Sequence, residues 1–216
     1  MLKDPDIHFI AIEGVIGVGK TSLARIIAER WNAMIIEENA DKNPFLEKFY
    51  ENPEAYAFQT QLFFLLDRHK QLQNSALQSD LFHDLLVSDY TYDKDQIFAS
   101  QNLSDSELAL YETVAKSLDK DIPRPDLVVY LQASVPTLLN RIHQRGRAME
   151  KAIEGNYLKD LQDRYDHHFW HYTGAPVLII NTDNIDFVNN ENHLNLVLDA
   201  ISSCPTQTTY FVPEGN

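Results

Sequence analysis

Short apolar runs alternate along the chain with longer stretches whose apolar residues recur every three or four positions. Five runs predict strands: 7–12 (Ile-His-Phe-Ile-Ala-Ile), 33–37, 84–88, 126–131 and 176–181. Each is short and mostly apolar, without the in–out alternation of a half-exposed strand, so both faces are expected to be covered, as in a parallel sheet. The longer stretches predict helices at about 20–31, 44–50, 54–78, 104–119, 134–145, 154–171 and 190–202. Ser134-Val135-Pro136 reads as an N-cap with proline in the first turn, and Asn52-Pro53-Glu54 opens the long third helix in a similar way. Strand–helix alternation predicts one doubly wound, three-layer α/β/α domain over 1–203, with a five-stranded parallel sheet. Residues 204–216, with scattered Pro, Thr and Gly, are expected to form a loosely ordered tail. In such sheets ligands bind beyond the carboxyl ends of the strands, so the residues just after each run are the ones that matter.

After the first run, Gly14–Thr21 reads G-V-I-G-V-G-K-T, a full match to the phosphate-binding P-loop pattern G-x-x-x-x-G-K-[S/T]. It has the required context: a strand before it and a helix after it. Glycines at 14, 17 and 19 let backbone N–H groups converge on one anion, and the helix N-terminus adds partial positive charge. The segment Gly14, Val15, Ile16, Gly17, Val18, Gly19, Lys20, Thr21 and Ser22 is therefore the expected donor-phosphate site. Lys20 reaches the terminal phosphates, and Thr21 is a candidate magnesium ligand. The fold class becomes P-loop NTPase-like.

Charge narrows the picture further. The chain has 216 residues, 32 acidic and 18 basic, and a net charge of −14. That balance argues against general nucleic-acid binding and against an anionic membrane surface. A polyphosphate site must therefore gather its cations locally. The single cysteine, Cys204, permits no internal disulfide or zinc-knuckle spacing. The opening Met-Leu-Lys-Asp-Pro-Asp does not read as a signal peptide, and no apolar run approaches a membrane span, so the expected location is cytoplasmic. The histidines 167, 168 and 171 lack the carboxylates that would complete a metal site.

Four further features carry chemistry. Glu37-Glu38 follows the second strand, where a carboxylate facing the P-loop can accept a hydroxyl proton. Asp89 ends the third apolar strand and is the second magnesium candidate; its structural alternative is a cap. Gln61 and Arg68, seven apart on the long helix, share a face suited to a base edge, or else lie at the rim of that helix. Arg141, Arg145 and Arg147 are three arginines in seven residues around Gly146, a local cation trap and an expected arginine-rich lid.

Together these residues resemble the deoxynucleoside kinases, especially the bacterial deoxyguanosine/deoxyadenosine kinases. The resemblance spans nearly the whole chain. It rests on Phe9–Gly14 leading into the loop, on Asn43-Pro44-Phe45-Leu46-Glu47-Lys48-Phe49-Tyr50, on Ser88-Asp89-Tyr90 through Ile97-Phe98-Ala99, and on Arg141 through Glu150. It implies transfer of the ATP γ-phosphate to a deoxynucleoside 5′-hydroxyl, with magnesium. It implies Glu38 as general base, Tyr50 and Glu150 at the sugar 3′-hydroxyl, Gln61 and Arg68 at the base, and the three arginines in the flap. It also implies a homodimer. The chain departs from the commoner family pattern of arginine after the acid, since Tyr90 follows Asp89; Lys94 is the candidate substitute. Asp93 and Asp95 compete as the acidic partner for the base. The alternatives are a nucleoside-monophosphate kinase of the thymidylate type and a non-catalytic nucleotide switch. The first needs cations facing the acceptor's own phosphate, and the second lacks its Asn-Lys-x-Asp sequence.

Overall fold

The computed structural model describes residues 6–76 and 83–213. Six strands lie in one sheet: β1 (Phe9–Gly14), β2 (Met34–Ile36), β3 (Leu86–Ser88), β4 (Leu127–Gln132), β5 (Val177–Asn181) and β6 (Thr209–Phe211). Their order is β2-β3-β1-β4-β5-β6, and every pairing is parallel. The sheet is the middle layer of an α/β/α sandwich. β1 occupies its centre and is fully buried. Ile10 and Ile12 pack into the main core, while Phe9 and Ala11 face a second cluster with Leu72, Leu86 and Tyr90. This is why the run is apolar without alternation: both of its faces are covered.

The expectation of five strands is corrected to six. β6 lies inside the segment expected to be a loose tail, and pairs Leu178 with Thr209, Ile179 with Tyr210 and Ile180 with Phe211. It is a three-residue edge strand with exposed Thr209 and Tyr210. Backbone hydrogen bonding to β5 and the packing of Phe211 against the main core order it. Residues 214–216 of the expected tail lie outside the described residues.

The helices are α1 (Lys20–Trp31), α2 (Leu46–Glu51), α3 (Pro53–Ala76), α4 (Lys94–Asn102), α5 (Asp105–Leu118), α6 (Val135–Arg145), α7 (Gly155–Trp170) and α8 (Glu191–Ser202). All but α4 match an expected helix within two residues; positions 77–78, expected at the end of α3, lie outside the described residues. Ser104 and Glu107 form a reciprocal capping box that starts α5. Asn190 caps α8 by accepting from the backbone of Asn192 and His193. α4 escapes the sequence pattern because two residues of its buried set, Lys94 and Asp95, are charged. It packs against α3, α5 and α7, which places those charges beside α3.

Candidate active site

The donor loop is built by backbone. Gly14 has φ 144°, and a Cβ there would stand 2.5 Å from the carbonyl oxygen of Leu131 on β4. Gly19 caps α1 at φ 111°, and a Cβ there would meet the Phe187 ring at 2.8 Å. Larger residues are excluded at both points by strain and by contact. Lys20 folds back over the loop, with Nζ donating to the carbonyls of Gly14 at 2.7 Å and Val15 at 3.2 Å. Burial and the nearby Lys94 pull its ammonium down to about 8, against the attraction of Glu13, Glu38 and Asp89. Val15 and Val18 are core side chains, so their contribution to the loop is main-chain.

A cleft of about 740 Å³ opens over this loop. Gly17, Lys20, Thr21 and Ser22 form its floor, with Arg141 and Arg145 along one side and the 183–189 loop along the other. Arg141 does not reach freely into it. Its guanidinium donates to the carbonyls of Val18 (3.1 Å), Thr182 (2.8 Å) and Ile185 (3.4 Å), and to the Thr182 hydroxyl (3.0 Å). The expected phosphate clamp is therefore occupied as a brace tying the P-loop to the 182–185 segment.

On the other side of Lys20 and Thr21 lies a small cavity of about 150 Å³. Its wall contains Glu38, Tyr50, Gln61, Arg68, Asp89 and Glu150, every acceptor residue expected from the sequence, together with Arg145 and Arg147, which were expected over the nucleotide; Arg147 does not line the donor cleft. Those residues are spread from 38 to 150 and come together through packing. α2 lies against α3 and against the short 3-10 turn at Ala148–Ala152, which brings Tyr50 toward Glu150. Glu150 is buried and accepts from Arg145 at 2.6 Å and from Arg147 at 3.5 Å. Gly146, at φ 68°, ends α6 between those two arginines. Arg145 lines both chambers, so it alone of the three arginines faces donor and acceptor together.

At the junction, the Thr21 hydroxyl donates to one oxygen of Asp89, and the Glu38 backbone N–H donates to the other at 2.8 Å. Asp89 thus touches both the P-loop and the segment after β2. Glu38 is held by Arg68 on Oε1 and by Lys94 on Oε2 at 2.5 Å. Burial raises the Glu38 carboxyl, but the two cations outweigh it and hold it well below the usual carboxylate range. Its neighbour Glu37 lies at the mouth of the same cavity, paired with the exposed Arg25 at 2.6 Å. Of the two glutamates, only Glu38 is held by buried cations, Arg68 and Lys94.

The structure also separates the alternatives around α4. Asp95 bonds Arg68 from inside, whereas Asp93 faces the exposed Arg124 at 3.9 Å. Burial drives the Asp95 carboxyl up to about 7 in spite of Arg68. Tyr90 turns from the cavity and donates to Gln71 at 2.8 Å, while Lys94 points into it. Arg68, expected at the base edge, spends its N–H groups on Glu38 and Asp95.

Glu13, at the carboxyl end of β1, was not singled out by pattern. It is fully buried and accepts from the Thr91 backbone (2.6 Å) and hydroxyl (2.9 Å), from Gly14 N–H and from Tyr165. Burial raises its carboxyl despite Lys94 and Lys20. Charged residues inside an otherwise apolar run were the available signal.

The sequence profile of the family described as deoxynucleoside kinase matches residues 10–204. The chain belongs to the deoxynucleoside kinase family. Among its relatives, deoxyguanosine kinase of Bacillus subtilis is 39% identical over 188 residues, covering 85% of this chain and 91% of that one. Deoxyadenosine kinase of Lactobacillus acidophilus is 32% identical over 209 residues, covering 90% and 95%. A solved structure of deoxyadenosine kinase from M. mycoides, with products dCMP and a flexible dCDP bound, has the same fold: TM-score 0.76 at 24% identity, covering 90% of this chain and 99% of that one. The enzyme is accordingly a phosphotransferase acting on deoxynucleosides, and both sequence alternatives give way to the family assignment. Among the described residues, no helix is long and apolar enough to cross a membrane.

Proposed function

We propose that this kinase transfers the γ-phosphate of ATP to the 5′-hydroxyl of a purine deoxynucleoside, deoxyguanosine or deoxyadenosine, in cytoplasmic nucleotide salvage. The observation that carries the reading is Glu38, enclosed in a cavity whose wall is shared with Lys20 and Thr21 of the donor loop. The hydroxyl oxygen forms the new P–O bond and its proton passes to Glu38. The bond from the γ-phosphorus to the bridging oxygen breaks, and ADP leaves with that electron pair. Little covalent work falls to the protein in such a transfer; it aligns the groups and neutralises charge.

Lys20 must exchange the carbonyls of Gly14 and Val15 for phosphate oxygens when donor binds. Arg145, facing both chambers, neutralises the group in transit. Tyr50 and Glu150 are suited to the 3′-hydroxyl, one donor and one acceptor in the same wall. Gln61, buried in the cavity wall, offers an amide donor and acceptor to a purine edge, and Arg68 closes the cavity beside it. The relatives named deoxyguanosine kinase and deoxyadenosine kinase support a purine acceptor, whereas another from Bacillus subtilis is named deoxyadenosine/deoxycytidine kinase.

Magnesium suits the junction: the Thr21 hydroxyl and the Asp89 carboxylate are hard oxygen donors already in contact. Bound there, the ion would neutralise the donor's β- and γ-oxygens. A homodimer completes the proposal, supported by exposed Leu66 and Leu110 on the mutually packed α3 and α5.

The test is kcat/KM with ATP for the four natural deoxynucleosides and their monophosphates. Deoxyguanosine or deoxyadenosine should lead by at least about tenfold, the effect of one lost hydrogen bond to a buried base edge. A leading pyrimidine would overturn the base assignment, and phosphorylation of monophosphates alone would overturn the acceptor assignment.

A further inference from the structure

We infer that Lys94 is a catalytic cation of this enzyme: it aims Glu38 at the reacting hydroxyl, then follows the phosphoryl oxygen as that hydroxyl takes its place. The inference rests on the kinase reading above.

Both oxygens of Glu38 are paired. Oε1 accepts from Arg68 (Nε at 2.9 Å, and Nη2), and Oε2 accepts from Lys94. A carboxylate oxygen can accept two hydrogen bonds, so the free acceptor position for an incoming hydroxyl is on Oε2, beside Lys94, because Oε1 already accepts twice from Arg68. Arg68 is fastened from three directions. Asp95 bonds its other guanidinium nitrogen, and the Phe64 and Tyr90 rings lie 5.0 Å and 5.6 Å from its Cζ. Its planar fork cannot leave one partner without straining the others. Lys94 differs on each point. Among the described residues its ammonium has one hydrogen-bond partner, Glu38, and the Phe98 ring lies 5.8 Å away. Three donors on a four-carbon stem can hold Oε2 and reach a second oxygen at once.

Its position is right for that second oxygen. Lys94 lines the acceptor cavity together with Lys20 and Thr21, and is 4% exposed. It sits close enough to Lys20 to help depress that ammonium. Glu13 and Glu38 already offset part of the repulsion between these two ammonium groups, and a polyphosphate beside Lys20 would add further compensating charge. Stability alone does not ask for a lysine here, because a buried ion pair is commonly no better than apolar residues of the same volume. Tyr90, next to Asp89 in sequence, cannot serve instead, because its hydroxyl is turned to Gln71.

The experiment is a double-mutant cycle with Lys94→Met, Glu38→Gln and the double variant, together with Lys94→Arg, each checked for fold by circular dichroism and thermal melting. Loss of a charge stabiliser at the transferring group predicts that Lys94→Met lowers kcat about a hundredfold or more, with donor KM within about threefold. Lys94→Arg should recover at least about tenfold of that loss. Since Lys94 acts partly through Glu38, the double variant should be at least about tenfold faster than the product of the two single losses. A kcat within about threefold of wild type in Lys94→Met, or losses that simply multiply, would overturn the inference. If Lys94→Met loses its fold, Lys94→Gln takes its place in the same cycle. A wild-type enzyme inactive on every deoxynucleoside would instead defeat the kinase reading.

Discussion

The donor cleft and the acceptor cavity share one wall, Lys20 and Thr21, yet they are made in different ways. The donor floor comes from nine consecutive residues and works through main-chain N–H groups, glycine geometry and a helix terminus. The acceptor cavity is assembled from side chains on α2, α3, α4, the segment after β2, the end of β3 and the turn after α6. A backbone site presents main-chain groups to its ligand, and the side chains of Val15 and Val18 serve the core beneath it. A side-chain site depends on each of its members, and on the packing that brings them together. The donor side is therefore expected to be generic, and the acceptor side selective but fragile.

Three substitutions sharpen that contrast. Glu38→Gln keeps the shape of the acceptor wall but removes the proton acceptor. It should lower kcat by about a thousandfold, within the range for loss of a general base, while donor affinity by calorimetry stays within about threefold. Near-normal turnover would remove Glu38 from the chemistry. Gln61→Ala should raise acceptor KM about thirtyfold and flatten the preference among bases, with donor KM unchanged, because an unpaired purine edge would be left in a buried site. Unchanged selectivity would move base reading elsewhere in the wall. Arg141→Ala is the smallest of the three. It frees the carbonyls of Val18, Thr182 and Ile185 and should raise donor KM about fivefold, with acceptor KM constant, the cost of roughly one charge-assisted hydrogen bond. A fall in kcat with donor KM unchanged would restore Arg141 as a direct phosphate clamp.

Much of this was legible beforehand, and what was not has identifiable causes. The parallel sheet and seven helices follow from local periodicity and the P-loop from a contiguous motif, both properties of neighbours in the chain. β6 was hidden because its Thr-Tyr-Phe is only three residues long, between Pro205 and Pro213, although Phe211 packs against the core. α4 was hidden because Lys94 and Asp95 stand among its buried residues. Arg68 was placed on the correct helix face, but the spacing could not show that Asp95 and Glu38 would claim its donors. The choice between Glu37 and Glu38, adjacent in sequence and lining one cavity, depends on which one meets the buried Arg68 and Lys94. Arg141, Arg145 and Arg147 look alike as a cluster, yet one braces a loop and two meet Glu150.

The sequence alone determined the candidate phosphate loop, because the motif lies within nine residues and its geometry is set by glycine and helix start. It also determined the sheet class, because apolar runs without alternation need two covered faces. Only the tertiary structure decided the acceptor site. Its charges are separated by tens of residues, and which carboxylate meets which cation is fixed by helix packing in a buried, weakly screened space where each pairing excludes another.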